Sequence, residues 1–250
     1  MPELVLHVMS LRYSSWSIRA LLPLLHAGAP VKLETVTLDM SRQGDPEPEA
    51  EAEAERYERA AAERLRTRRA LGSVTGYFPV LHVDGEPIHE ALAIGEWTAE
   101  HYPEANLWPR DAMPRARARA LSAEMASNFI HLRHHMSCHV FARVPAFVPN
   151  GPTRVEIARV FELMQTSLAA SGGPFLFGAF GIVDAMYFPV LTRFETYGIA
   201  LPPELGAYAE AIRATPAVVR WRELALQAPA IPTYDDFIRR LGGQVVLPPA

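Results

Sequence analysis

The run Tyr13-Ser14-Ser15-Trp16-Ser17 concentrates hydroxyl groups just ahead of an apolar helical pattern at Ile18, Leu21, Leu22 and Leu25, closed by Gly28. Hydroxyl residues at a helix N-terminus present free backbone N–H groups and the positive end of the helix dipole, and such a site stabilises an anion. A thiolate is one such anion. A thiol with pKa ~8.5 is only about 3% ionised at pH 7, and lowering that value by ~2 units makes it roughly three-quarters ionised, about a 20-fold gain in nucleophile. Serine here also serves as an ordinary N-cap. From the residues alone both readings of Ser14 stand.

A second constellation, HLRHHMSCH at 131–139, places His131, His135 and His139 four residues apart, a spacing that brings imidazoles to one face of a helix. No glutamate follows the first histidine as in HExxH, and residues 125–155 contain no Asp or Glu. No metal is therefore expected. RARAR at 115–119 alternates with alanine, which spreads its arginines around a helix, and the net charge of −4 gives no general pull toward nucleic acid. The single Cys138 cannot close an internal disulfide, which fits a reducing, cytoplasmic setting, and no apolar run reaches the ~18 residues of a membrane span.

These residues must be positioned by elements that the pattern makes legible. Leu4 to Met9 is of strand length, the helix after Ser15 follows, and Val31 to Leu38 alternates apolar and polar at period two. Strand, helix and strand make a right-handed parallel crossover. Residues 45–72 read as one surface helix starting behind Pro46 and Pro48: eight acidic residues from Asp45 to Glu63 precede arginines at 64, 66, 68 and 69, matching the helix dipole, with Glu55 and Arg59 as an i,i+4 pair and Gly72 as the stop. Phe78 to Val83 is a third strand, Asp84-Gly85 a hairpin turn, Pro87 to His89 a fourth strand, and a helix runs from about Glu90 to Tyr102. From Pro114 nearly everything has helical period: Arg115 to His139, Thr153 to Ala170, Val183 to Tyr197, Pro203 to Ala214 and Ala217 to Leu226. At 49% apolar and 21% charged, 250 residues bury a sizeable core, and the change of pattern puts a domain boundary near 103–112.

YSSWSIR at 13–19, FPVL at 78–81, Glu90-Ala91, LWPRD at 107–111 with RARARALSAEM at 115–125, and GPFLFGAFGIVDAMYFPVLTRF at 173–194 together resemble a soluble glutathione S-transferase. The first motif is most similar to serine-type, zeta-like members, and the likeness runs from Leu4 to about Trp221. It implies an α/β plus all-α fold: a thioredoxin-like domain (βαβ-ββα) over 1–105 with the charged helix near 46–72 as an insertion, and an all-helical domain over 112–250. It implies glutathione as co-substrate, a small apolar electrophile as second substrate, and a homodimer, with no nucleic-acid or membrane partner.

The same resemblance assigns the site. Ser14 is the expected thiol-activating hydroxyl and Ser15 the second choice. Ser14, Ser15, Trp16, Phe78, Pro79, Glu90 and Ala91 are expected at glutathione, Phe78 through its main chain ahead of a cis Pro79. Trp16, Met125, Phe129 and Arg133 are expected to line the electrophile pocket, where the arginine would orient an anionic or carbonyl-bearing substrate. Asp184 is expected to cap a buried helix behind Gly181. Two positions depart from the family: Ala91 lacks the usual hydroxyl, and Tyr77 stands where a basic residue is common. One lost hydrogen bond to a carboxylate costs about 1.5–3 kcal/mol, roughly 10- to 150-fold in affinity. The leading expectation is thiol activation for conjugation or isomerisation. The alternative is a protein of this fold that has lost efficient glutathione use and serves as a ligand-binding protein or a biosynthetic enzyme.

Overall fold

The computed structural model describes residues 2–36, 51–70 and 72–247. Strand β1 (Leu4–Val8) leads through a loop to helix α1 (Ser15–His26), and β2 (Val31–Thr35) pairs parallel to β1. Helix α2 (Glu51–Ala70) follows, then the hairpin β3 (Val80–Val83) and β4 (Glu86–Ile88), and helix α3 (Ala91–His101). The sheet order is β2-β1-β3-β4, with β3 antiparallel to both its neighbours. Asp84 and Gly85 both have positive φ, 49° and 88°, the geometry an Asp-Gly hairpin turn requires. The expected strand extension past residue 36, the prolines at 46 and 48, and the Glu55 side chain lie outside the described residues.

A 3-10 turn at Pro103–Ala105 leads to the helical half: α4 (Ala112–Ser127), α5 (Ile130–His135), α6 (Gly151–Ser171), α7 (Ile182–Thr196), α8 (Pro203–Ala214), α9 (Pro216–Gln227) and α10 (Pro232–Arg240). Helix α7 is buried along almost its whole length. Its start is held by Asp184, whose carboxylate accepts from Gly181 N at 2.9 Å and Leu176 N at 3.2 Å. Helix α1 joins the two halves: its buried Ile18, Leu21, Leu22 and Leu24 belong to one continuous core, and it packs on α3, α7 and α9.

Three features differ from expectation. The helix expected over Arg115 to His139 breaks at Asn128, which is extended, and Phe129, whose φ is +60°. A residue distant in sequence caps the break: the Glu156 carboxylate of α6 accepts from the N–H groups of His131 at 3.3 Å and Leu132 at 2.7 Å, standing in for the helical acceptors those groups lack. The break also ends the four-residue repeat of histidines, since His139 lies beyond α5 and meets Asp235 Oδ1 at 2.9 Å. Among the described residues no group of three His, Cys, Asp or Glu could hold a metal ion. Finally, the helical half carries a helix not foreseen, α10, and a two-residue antiparallel pair of β5 (Ala142–Arg143) with β6 (Gln244–Val245).

Candidate active site at the junction of sheet and helices

The sheet register gathers the candidate residues at one edge. His7 pairs with Val80 across antiparallel β1 and β3, so Phe78 and Pro79 stand beside the end of β1, from which the Ser14 loop departs. Phe78 packs in a small cluster with Val36, Val80 and Met9. Leu81 pairs with Ile88, which brings the chain after β4, and hence Glu90 and Ala91, to the same edge. The Phe78-Pro79 bond is cis, as is His89-Glu90. Among the described residues no hydrogen bond is made by the Phe78 main chain.

Ser14 caps α1. Its Oγ accepts from Ser17 N at 3.2 Å and from Ser17 Oγ at 2.9 Å, and Ser17 Oγ in turn accepts from Met9 N at 3.3 Å. An oxygen that accepts twice still holds its own proton, so the Ser14 hydroxyl is a donor at the end of a polarised chain. Capping and donating to an anion are thus compatible. Ser15 Oγ accepts from Arg193 Nη2 at 3.3 Å and likewise retains its proton. Glu90 is the exposed N-cap of α3 with no side-chain capping bond, and Ala91 is 2% exposed, its methyl packed in the core. Tyr77 is 75% exposed.

The loop ahead of Ser14 is held by the far end of the chain. Arg12 donates to the carbonyls of Ala225 at 2.9 Å and Leu226 at 2.7 Å, and Trp221 Nε1 donates to Leu11 O at 3.3 Å. Tyr13 Oη donates to Asp235 Oδ1 at 2.8 Å, accepts from Ile231 N at 3.3 Å, and its ring stacks on Tyr234. None of these contacts has a local signal, because each joins residues more than 200 positions apart.

On the helical side the structure brings one of three expected pocket residues to the loop. Arg133 lies over Trp16, its Cζ 5.5 Å from the indole centroid. Met125 and Phe129 are buried in the core instead, Phe129 edge-on to Tyr187. Two arginines that sequence reasoning missed join Arg133. Arg19 is 1% exposed, its Cζ 4.6 Å from the centroid of the same indole, and Arg193 reaches Ser15. A cavity of about 870 Å³ between α4, α6 and residues 171–181 is lined by none of the candidate residues.

Residues 111–224 match the family model described as the glutathione S-transferase C-terminal domain. A solved glutathione transferase homologue from Burkholderia, with bound glutathione, shares the fold at a TM-score of 0.63, with 21% identity over 90% of this chain and 98% of that one. The helical half thus carries a glutathione S-transferase C-terminal domain, and the chain as a whole has the fold of the glutathione transferases. The Tau class glutathione S-transferase from mango, Mangifera indica, likewise has a TM-score of 0.63, with 19% identity over 96% of this chain and 98% of that one. A stretch of 49 residues is 47% identical to a probable maleylacetoacetate isomerase of Caenorhabditis elegans, and it spans 20% of this chain and 23% of that protein. The Ser14 cap, the Phe78-Pro79 step and the α3 N-terminus stand at the same end of the sheet.

Proposed function

We propose that this chain is a glutathione S-transferase family member, an enzyme that activates the glutathione thiol for attack on a small electrophile, giving conjugation or isomerisation. The observation that carries the reading is the Ser14 hydroxyl, which accepts two hydrogen bonds from Ser17 and so keeps its own proton for donation at the N-terminus of α1. In this reading residues 1–105 bind glutathione. The Phe78 main chain pairs with the cysteinyl part, the Glu90 carboxylate and the Ala91 N–H hold the γ-glutamyl end, and Pro79 and Trp16 border the site. Ser14 donates to the thiolate, with Ser15 beside it. Residues 112–250 hold the electrophile, with Met125 and Phe129 backing Arg133. The reaction so written uses no metal, and the proposal takes the protein to be a cytoplasmic homodimer, as the family resemblance implies. Calorimetric titration with glutathione is the test: a dissociation constant far above millimolar refutes the reading.

A second reading, a protein of this fold that no longer uses glutathione efficiently and acts as a ligand-binding protein or a pathway-specific biosynthetic enzyme, is favoured by one feature. The residue at the start of α3 offers a buried methyl where a hydroxyl would reach the ligand. The same titration separates the two.

A further inference from the structure

The loop ahead of Ser14 is fastened residue by residue. Leu11 O accepts from Trp221 Nε1, Arg12 O accepts from Val140 N at 3.2 Å, and the Arg12 side chain donates to two carbonyls at the end of α9. Tyr13 is held by a buried polar cluster instead. Its ring stacks on Tyr234 with centroids 5.0 Å apart and stands edge-on to His139 at 4.8 Å. Its hydroxyl donates to Asp235 Oδ1 and accepts from Ile231 N, so its donor and acceptor directions are both set by α10 and the N-cap residue Ile231 ahead of it. The same Oδ1 meets His139 Nε2 at 2.9 Å. Burial lowers the His139 pKa and keeps the ring neutral; the nitrogen facing a carboxylate carries the proton, and Nδ1 is left bare and without a partner. Thr196 Oγ1 donates to His139 O at 2.8 Å and ties this histidine to α7. The Asp235 carboxylate is thus oriented from the α7 side and in turn orients Tyr13.

We propose that Asp235 is a positioning residue for Ser14: it locks the Tyr13 hydroxyl, and through Tyr13 it sets the direction in which the Ser14 hydroxyl donates at the start of α1. Ser14 follows Tyr13 directly, in an extended conformation with φ −103° and ψ 99°, and its N–H donates to Ser10 O at 3.2 Å. A rotation of the Tyr13 backbone therefore moves the Ser14 hydroxyl relative to the first turn of α1. Misplacement of a reacting group by ~1 Å costs up to about 10²-fold in rate, so a tie made far from the chemistry controls it by geometry alone. An ionised carboxylate only accepts, which lets one oxygen take both the tyrosine and the histidine proton. This inference rests on the transferase reading for what Ser14 activates, but the fixing of the loop by α10 does not depend on glutathione.

The test uses the full chain with glutathione bound, in a pH titration of thiolate ultraviolet absorbance, together with hydrogen exchange of residues 10–17 as a readout that needs no ligand. Tyr13→Phe keeps the ring beside Tyr234 and removes only the hydroxyl. It should raise the bound thiol's pKa by about 0.5–1 unit, about half the shift of Ser14→Ala, leave the glutathione dissociation constant within about 3-fold, and speed exchange of residues 10–17 by about 3- to 10-fold. Asp235→Ala should do the same, and Asp235→Asn, which retains an acceptor, should recover most of the loss. Added to Ser14→Ala, Tyr13→Phe should shift the thiol no further, because it acts through the hydroxyl already removed. A lower melting midpoint with an unchanged thiol pKa means a structural tie only and overturns the proposal, as do additive shifts in the double variant. If Asp235→Ala does not fold, Tyr13→Phe still decides. If the wild type binds no glutathione, the transferase reading falls and exchange alone decides: faster exchange in Tyr13→Phe keeps the fixing of the loop by α10, and unchanged exchange overturns it. Glutathione binding with a thiol indifferent to Tyr13→Phe keeps the transferase reading and removes the positioning role.

Discussion

Removing the Ser14 hydroxyl should have two separable effects whose sizes follow from its bonding. As an N-cap it satisfies Ser17 N at 3.2 Å, so Ser14→Ala should cost about 1 kcal/mol of stability. As a donor to a bound thiolate it contributes one hydrogen bond to a charged group, about 1.5–3 kcal/mol, so its loss should raise the thiol's pKa by about 1–2 units. A bound thiol near pKa ~6.5 would move to ~7.5–8.5, and the ionised fraction at pH 7 would fall from roughly three-quarters to about a quarter or less. The assay is a pH titration of thiolate ultraviolet absorbance for glutathione bound to the wild type, Ser14→Ala and Ser15→Ala. Ser15→Ala leaves the cap intact but deprives the buried Arg193 Nη2 of its Ser15 acceptor, so it should lower stability by about 1–3 kcal/mol with little change in thiol pKa. An unchanged thiol pKa in Ser14→Ala, with a rise in Ser15→Ala, would refute the assignment and move the role to the hydroxyl beside Arg193.

Three further outcomes follow from contacts in the structure. Asp184→Ala leaves two buried N–H groups without their acceptor, which should cost about 3 kcal/mol and lower the melting midpoint by about 6–12 °C; a shift under about 2 °C would show that water replaces the carboxylate. His139 has its pKa lowered by burial, only partly opposed by Asp235. The unfolded chain therefore takes up a proton that the folded one refuses, so this contribution to stability is full above pH ~6.5 and is lost as pH falls toward the depressed folded value. Urea midpoints between pH 8 and 5 should fall more steeply for the wild type than for His139→Gln, and parallel curves would count against the effect. Ala91→Ser should tighten glutathione by up to about 10- to 150-fold by calorimetry; unchanged affinity in a folded variant would mean that the hydroxyl turns into the core where the Ala91 methyl now packs.

The elements that were legible in the sequence are those with local causes. The Asp84-Gly85 turn, the apolar strand runs and the proline at the start of α8 depend on the conformational limits of a few adjacent residues, and the structure has the hairpin in place and α8 at Pro203–Ala214. The expected Asp184 cap is local in the same way, spanning three residues to Gly181. Helix α10 carried local signals, a proline at its start and a strongly one-sided apolar pattern, but its anchor is remote: Asp235 is held by Tyr13 and His139.

What the sequence determined by itself was the order of strands and helices and the hydroxyl-rich start of α1, because backbone sterics, period and capping act within a few residues. The tertiary structure decided where charge sits. Arg19 and Arg193 look like ordinary helical arginines along the chain, and only packing α1 against α7 seals both in the interior, with Arg193 reaching Ser15. Arg133 reaches Trp16 from α5, whose start is capped by Glu156, a residue 23 positions further on. Burial and long-range hydrogen bonds depend on which surfaces meet, and a linear pattern does not carry that information.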